Sequence, residues 1–220
     1  MKKTSLKVLR DIGAHKYQFI ALIIIVLLAV ASCGLISAYK NLNASLDHTG
    51  DILHFADFTA SIEGAPSDVA AELKELDNVQ AVEGRIVVDA GLQLSDRVAL
   101  ARLVGLPIQH RPAVNDILLS SGRYFEPGDE NVAIMDHHYA EFYNCKEGAV
   151  VPILAAGQQF DLKAIGVATS PEYIILSSSE QAFAISARNF GVFFVPLSQL
   201  QQTLGADGVV HEFAILVKDR

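Results

Sequence analysis

The sequence predicts an α+β protein: one N-terminal transmembrane helix followed by a two-lobed extracytoplasmic domain of antiparallel sheets and short helices. Three observations lead there. Phe19 to Ala38 is a 20-residue stretch without a charged residue. Charge divides around it: residues 1–40 hold six basic residues (Lys2, Lys3, Lys7, Arg10, Lys16, Lys40) against Asp11 alone, a net +5, so the other 180 residues carry −13 of the total −8. Beyond it, short alternating apolar runs mix with short helical patterns and join locally, which fits antiparallel sheets better than a doubly wound one.

Composition narrows the class. The chain has 220 residues, 51% hydrophobic and 19% charged, with mean hydropathy +0.31. That is too apolar for a disordered tail. The net negative charge argues against broad contact with a phosphate backbone, so no nucleic-acid partner is expected. Two cysteines exclude a disulfide-rich scaffold and a cysteine-only zinc site.

Residues 1–17 form a basic leader, expected in the cytoplasm by the positive-inside rule. Leu6, Leu9 and Ile12 recur near helical spacing around Lys7 and Arg10, so the leader reads as an amphipathic helix on the inner leaflet or as an unstructured basic segment. Residues 18–40 form the transmembrane helix. At ~1.5 Å per residue, the uncharged stretch spans about 30 Å, a bilayer core, where a helix satisfies every backbone group internally. A cleaved secretory signal is a competing reading, but its apolar region is about 7–15 residues long. A lipoprotein signal is another: Val30-Ala31-Ser32-Cys33 has the pattern of a lipobox with Cys33 lipidated, although Gly34-Leu35-Ile36 continues apolar. The retained helix is preferred.

Residues 41–56 are a stalk, since the helical step from Leu42 to Leu46 carries the helix outward. The core domain, residues 57–220, is expected in lobes of about 57–110 plus 190–220, and 111–189. Its first strand is Asp57 to Ile62, broken by Gly64-Ala65-Pro66, with Pro66 in the first turn of a helix marked by Val69, Leu73 and Leu76. Ile86 to Leu94 alternate with Arg85, Val87, Asp89, Gly91 and Gln93; after Ser95-Asp96 the alternation resumes at Val98 and ends at Pro107, a long hairpin. Ile117-Leu118-Leu119 is short and apolar, and Pro127-Gly128-Asp129 is a turn. Val132 to Met135 is a buried strand, and Asp136 caps a short helix to about Asn144. Ala149–Leu154 and Phe160–Val167 form a hairpin, Phe193-Phe194-Val195 a strand, Pro196–Leu204 a helix, and Val210–Val217 the last strand.

Chemistry is sparse. GxxxxGK[ST], GxGxxG and GxSxG runs are absent from the sequence. Ser177-Ser178-Ser179 offers hydroxyls without an evident base and reads as a loop. His137, Glu141 and Cys145, at i, i+4 and i+8 with Asp136 and His138 adjacent, are metal-ligand types on one predicted helix face. HxxxExxxC matches no common ligand motif, however, and Asp136 and Glu141 have ordinary roles as cap and exposed residue. Cys33 and Cys145 lie on opposite sides of the membrane boundary and carry no redox argument. Asp129-Glu130 reads as a solvated turn, and Phe190, Phe193 and Phe194 as core. No residue is assigned to catalysis, a cofactor or a metal, and no enzymatic activity is expected.

Leu9-Arg10-Asp11-Ile12, one membrane span, Gly122-Arg123-Tyr124-Phe125, a strand, a helix ending in Cys145-Lys146-Glu147-Gly148, and then Ile165-Gly166-Val167-Ala168-Thr169-Ser170-Pro171-Glu172-Tyr173 occur in that order. This order resembles the N-terminal part of FtsX-like/MacB-like ABC-transporter permeases, whose periplasmic core carries such motifs. Glu147-Gly148-Ala149 lacks the acidic residue usual after the glycine. Such permeases resemble proteins with at least four membrane helices, so the chain is expected to be an N-terminal portion, a truncated frame or a split gene. The resemblance implies a MacB-like periplasmic core in the bacterial inner membrane. It implies a separate cytoplasmic ABC ATPase that binds ATP, a second permease copy or half, and a periplasmic adaptor. Export or extraction of a substrate would be driven through the first helix. The alternative is a membrane-anchored binding or sensory module, or a lipoprotein lipidated at Cys33.

Overall fold

The structure, a computed structural model, describes residues 15–155, 157–173 and 187–218. The leader before residue 15, with its predicted amphipathic helix, and Ser177–Ser179 lie outside them. Two units divide between Thr49 and Gly50.

Helix α1, Lys16–Ile52, is one continuous helix of 37 residues, about 56 Å long at 1.5 Å per residue. Its β-branched run Ile23-Ile24-Ile25-Val26 has no special helix propensity in water. Every described apolar side chain from Tyr17 to Leu42 is exposed, the surface expected of a helix solvated by lipid. Among the described residues it is the one helix long and apolar enough to cross a membrane. The expected outward continuation of the helix is present, down to Ile52.

In the second unit, β1 (Phe58–Pro66), β2 (Val79–Arg85) and β10 (Val209–Val217) form an antiparallel sheet in the order β1-β10-β2. Helix α2 (Val69–Lys74) covers one face: Val69, Ala70 and Leu73 pack on Val79, Val210, Phe213 and Ile215. Two expectations need correcting. Pro66 ends β1, paired with Val209, instead of opening a helix; a bulge between Ser61 and Ala65 lets the strand run through Gly64, and on an outer strand proline's missing N–H costs no ladder bond. Leu76 lies past the end of α2 and is exposed.

The remaining strands are β3 (Val87–Gln93), β4 (Val98–Leu106), β5 (Leu118–Gly122), β6 (Val132–Asp136), β7 (Val150–Ala155), β8 (Gln158–Thr169) and β9 (Phe190–Pro196). Their hydrogen-bonded order is β5-β8-β6-β9-β4-β3-β7, and β7 also pairs with β8. The ring β8-β6-β9-β4-β3-β7 therefore closes on itself as a six-stranded barrel, which removes its edges. Strand β5 is added to β8 beyond the stretch that β7 occupies. Both predicted hairpins form, β3–β4 from Val87↔Val104 to Gln93↔Val98 and β7–β8 from Val150↔Lys163 to Ala155↔Gln158. The expectation of antiparallel sheets holds for the three-stranded sheet and is corrected for the barrel, where β4–β9 and β6–β8 run parallel. The sheets also divide the chain differently from the expected lobes. Strands β3, β4 and β9 share the barrel with β5–β8, and β2 was not anticipated: the reading from Arg85 to Leu94 merges the end of β2 with β3 across Ile86.

Burial explains the strand composition. All residues of β9 are buried. Phe193 and Val195 face the core that holds Ile86, Leu92, Leu103, Met135, Ile153 and Leu162. Phe190, Val192 and Phe194 face the opposite cluster with Ile117, Phe125, Ile134 and Tyr173. A strand covered on both faces reads as a continuous apolar run, as β6 and β9 do. Helices α3 (His137–Phe142) and α4 (Leu197–Leu204) pack on the first core through Tyr139, Ala140 and Leu200.

Two glycines set the closest approach in the sheet. Gly122 pairs with Gly166 across β5–β8. Its φ is +76°, and a Cβ there would meet the Ile165 carbonyl oxygen at 2.2 Å and the Gly166 Cα at 2.5 Å. Gly122→Ala is expected to lower stability by roughly 2–5 kcal/mol, from left-handed strain and overpacking together. Gly205→Ala, also at positive φ but facing open space, should cost only about 1–2 kcal/mol. Thermal melts of the two variants check this; equal losses would mean the close approach carries no cost.

Candidate functional site

The site is the foot of the second unit, Gly50–Arg220, where three non-local segments meet the turn that follows α1. His54 adopts a left-handed conformation, φ 52°, and Phe55 N donates to Gly50 O at 2.8 Å. This six-to-one bond is the helix-terminating Schellman arrangement. The carbonyls freed by the turn are then used. Asp116 N donates to Leu53 O and Asn115 N to His54 O, both at 2.9 Å. Asn115, itself in a left-handed conformation and 2% exposed, returns its Oδ1 to Ala56 N at 2.7 Å. Asp57 closes the set: its N donates to Ile215 O at 2.9 Å, and its Oδ2 accepts from Val217 N at 2.9 Å. Beneath these bonds, buried Val114 packs with Ala214 and Leu216, with Ala56 and Ala81 against them.

The segment from Pro107 to Ile117 is held from both sides. Glu83 of β2 accepts from Ala113 N at 2.7 Å. Arg111 ion-pairs with Asp116, donates to the Ile117 carbonyl, and lies over the Tyr124 ring at 4.7 Å. Tyr124 donates its hydroxyl to Pro107 O at 2.8 Å. Glu83 is 9% exposed, and burial, only partly opposed by the Ala113 hydrogen bond and by His110 and Arg85, lifts its pKa above the usual carboxylate range.

Two residues along the same face of β2 lies Arg85, 3% exposed. Its Nε donates to Glu212 Oε1 on β10 at 2.7 Å, and its Nη1 and Nη2 donate to the two carboxylate oxygens of Glu172 at 2.5 Å each. Glu172 lies in the 3-10 turn Pro171–Tyr173 that follows β8. All three guanidinium nitrogens are thus engaged by carboxylates. Burial opposes the charge of Arg85, but the hydrogen bonds and charge of Glu172, then of Glu212, outweigh it and leave the guanidinium pKa raised. The alternation pattern placed Arg85 on the outward side of one long strand. The missed signal was a cation and two acids, Arg85, Glu83 and Glu212, inside apolar strand segments.

The residues singled out by sequence fall as follows. Asp136 caps α3, its Oδ1 accepting from His138 N at 2.9 Å and lying 3.0 Å from His138 Nδ1. His137 and Glu141 are exposed neighbours, 3.4 Å between Nε2 and Oε2. Cys145 does not join them. The helix ends at Phe142, Asn144 is left-handed (φ 50°), and Cys145 N bonds to Ala140 O at 2.9 Å. That turn sends Cys145 against the core, where burial raises its thiol pKa. Among the described residues, no three His, Cys, Asp or Glu side chains cluster as metal ligands. Asp129 is no simple solvated turn residue: it takes both Arg123 Nη groups at 2.7 and 2.8 Å and the Glu126 N–H. Its hydrogen bond from Arg123 lowers its pKa. Phe190, Phe193 and Phe194 are core.

The family described as the MacB-like periplasmic core domain matches residues 19–220. Among solved structures, the chain is similar to the extracellular domain of the noncanonic ABC-type transporter YknZ from Gram-positive bacteria, with 17% identity over 71% of this chain and 74% of that one, TM-score 0.47. It is also similar to the periplasmic region of MacB from Actinobacillus actinomycetemcomitans, with 15% identity over 70% of this chain and 65% of that one, TM-score 0.42. No curated protein matches the chain significantly.

The buried carboxyl gives a pH signature. Because the folded pKa of Glu83 lies above its unfolded value, the folded state binds the proton more tightly, so stability falls as pH rises through the interval between the two. Glu83→Gln keeps an oxygen for Ala113 N and removes the charge. Melting temperature measured across that interval should decline less with pH in the variant than in the parent; parallel curves would contradict the assignment.

Proposed function

The chain belongs to the MacB-like periplasmic core domain family, and from that membership we propose that it is the anchored outer part of an ABC-transporter permease. Residues 1–17 face the cytoplasm, α1 crosses the inner membrane, and residues 57–220 lie outside. A separate ABC ATPase hydrolyses ATP, and a second permease copy or half completes the membrane part. A periplasmic adaptor receives the substrate on the outer side.

One observation supports a coupling role above others. Gly50, Leu53, His54, Ala56 and Asp57 are tied by short hydrogen bonds to one another, to the Asn115-Asp116 segment, and to β10. A helix end joined by a free linker would swing without moving the domain. A helix end whose last carbonyls are taken up by the domain's own backbone transmits displacement into it. Mechanical coupling needs such a joint and no catalytic group.

Two readouts on the full chain in detergent test this. Co-purification with the ABC ATPase encoded nearest to its gene is expected, with Asn115→Ala retaining the complex but lowering the chain's effect on ATP turnover several-fold. Intact-mass spectrometry should show an unprocessed N-terminus. A chain cleaved and diacylated at Cys33 would establish the lipoprotein reading instead, and loss of ATPase association in the parent would remove the transporter reading.

A further inference from the structure

The barrel and the three-stranded sheet are two substructures with separate cores. The chain passes from β2 to β3 through Ile86 alone. Half-buried Leu197 packs on both the barrel core and the core under α2. The Arg85–Glu172 fork is a charged bond across the junction, beside neutral ones such as Gln201 Nε2 donating to Val209 O at 3.0 Å. Arg85 sits directly opposite Glu212 in the β2–β10 ladder. That in-sheet partner takes Nε and lies 2.6 Å from Nη2, so it aims the guanidinium plane outward from its own sheet. Both Nη groups then meet Glu172, in a turn that continues from β8 of the barrel. Tyr173, the next residue, is buried against Phe194 in the outer barrel cluster, so the turn carrying Glu172 is fixed to the barrel.

We infer that Arg85 is a positioning residue: a two-sided latch, oriented by Glu212 within the sheet, that holds the stalk-bearing sheet and the barrel in one relation by gripping Glu172. The latch matters for transport only if the coupling reading above is right, but its existence does not depend on it. A bidentate charged fork is directional, and a rigid plane gripping a rigid plane restricts rotation where a single apolar contact such as Leu197 permits sliding. The two carboxylates have different parts. Removing Glu172 opens the junction; removing Glu212 leaves the grip and loses only its orientation.

The test uses the full chain in detergent, with Cys33→Ser and Cys145→Ala, and spin labels at Leu76→Cys beside the sheet and Val150→Cys on the barrel, both exposed in the parent. Electron–electron distance measurements should give one narrow distribution. Glu172→Gln, whose amide offers one acceptor in place of two, should broaden it at least twofold or add a second population, with the circular dichroism spectrum unchanged. Glu212→Gln should leave it within the parental width. A narrow distribution in Glu172→Gln, or equal broadening in both variants, overturns the latch. If Glu172→Gln does not fold, Glu172→Asp, which keeps the charge and shortens the reach, takes its place under the same criteria. No ATPase or transport assay enters, so this result and the coupling result stand or fall separately.

Discussion

A cation with almost no access to water has to be answered by charge from within the protein, and Arg85 is answered from two directions. Desolvating an ion costs several kcal/mol, and only good geometry recovers it. Here the geometry spends one carboxylate within the sheet and one across the junction. Breaking such a pair from one side costs roughly 3–5 kcal/mol, since a buried charge is left behind. That is a large share of the roughly 5–15 kcal/mol by which domains are stable. The positions of β2, β10 and the turn after β8 are therefore fixed together.

The junction sits beside the foot of the domain. Glu83, two residues from Arg85 on β2, holds the Ala113 amide, and Asn115 and Asp116, just beyond it, hold the turn that closes α1. A continuous set of short polar contacts thus runs from the last helical turn, through the segment after β4, into the three-stranded sheet, and across Arg85 to the barrel. Closure of the barrel gives that set a stiff receiver. A ring of six paired strands with both faces of β6 and β9 covered has few soft modes, because buried close-packed side chains resist shear. Gly122 and Gly166 allow the added strand β5 to seat on β8 at a distance no side chain would permit.

Much of this was legible from residues because it depends on local pattern. The span from Phe19 to Ala38, the β3–β4 and β7–β8 hairpins, the Asp136 cap and the run Phe193-Phe194-Val195 each follow from periodicity or a single capping side chain. What escaped was non-local. Alternation does not register that the chain changes sheet at Ile86, since the inside–outside rhythm continues through it. Parallel pairing of β4 with β9 joins segments about 90 residues apart, and no local signal encodes that. The spacing of His137, Glu141 and Cys145 puts Cys145 on the same face only if the helix runs through it, about two and a half turns, whereas the helix ends at Phe142 and left-handed Asn144 turns the chain away. The glycine and Ser-Pro-Glu-Tyr motifs were recognisable as motifs, but their reasons, a backbone contact and a grip on Arg85, required the fold.

The turn that closes α1, Leu53–Asp57, is hydrogen-bonded into the sheet-rich unit. Hydrogen–deuterium exchange on the full chain in detergent measures that directly at the amides of Ala56, Asp57, Asn115, Asp116 and Val217. These five are expected to exchange slowly and as one group, at rates near those of the barrel strands and far below those of the Ser95-Asp96 turn. Exchange of Ala56, Asn115 and Asp116 at the rate of that turn would mean the helix ends in a free linker, and the coupling role would have no structural basis.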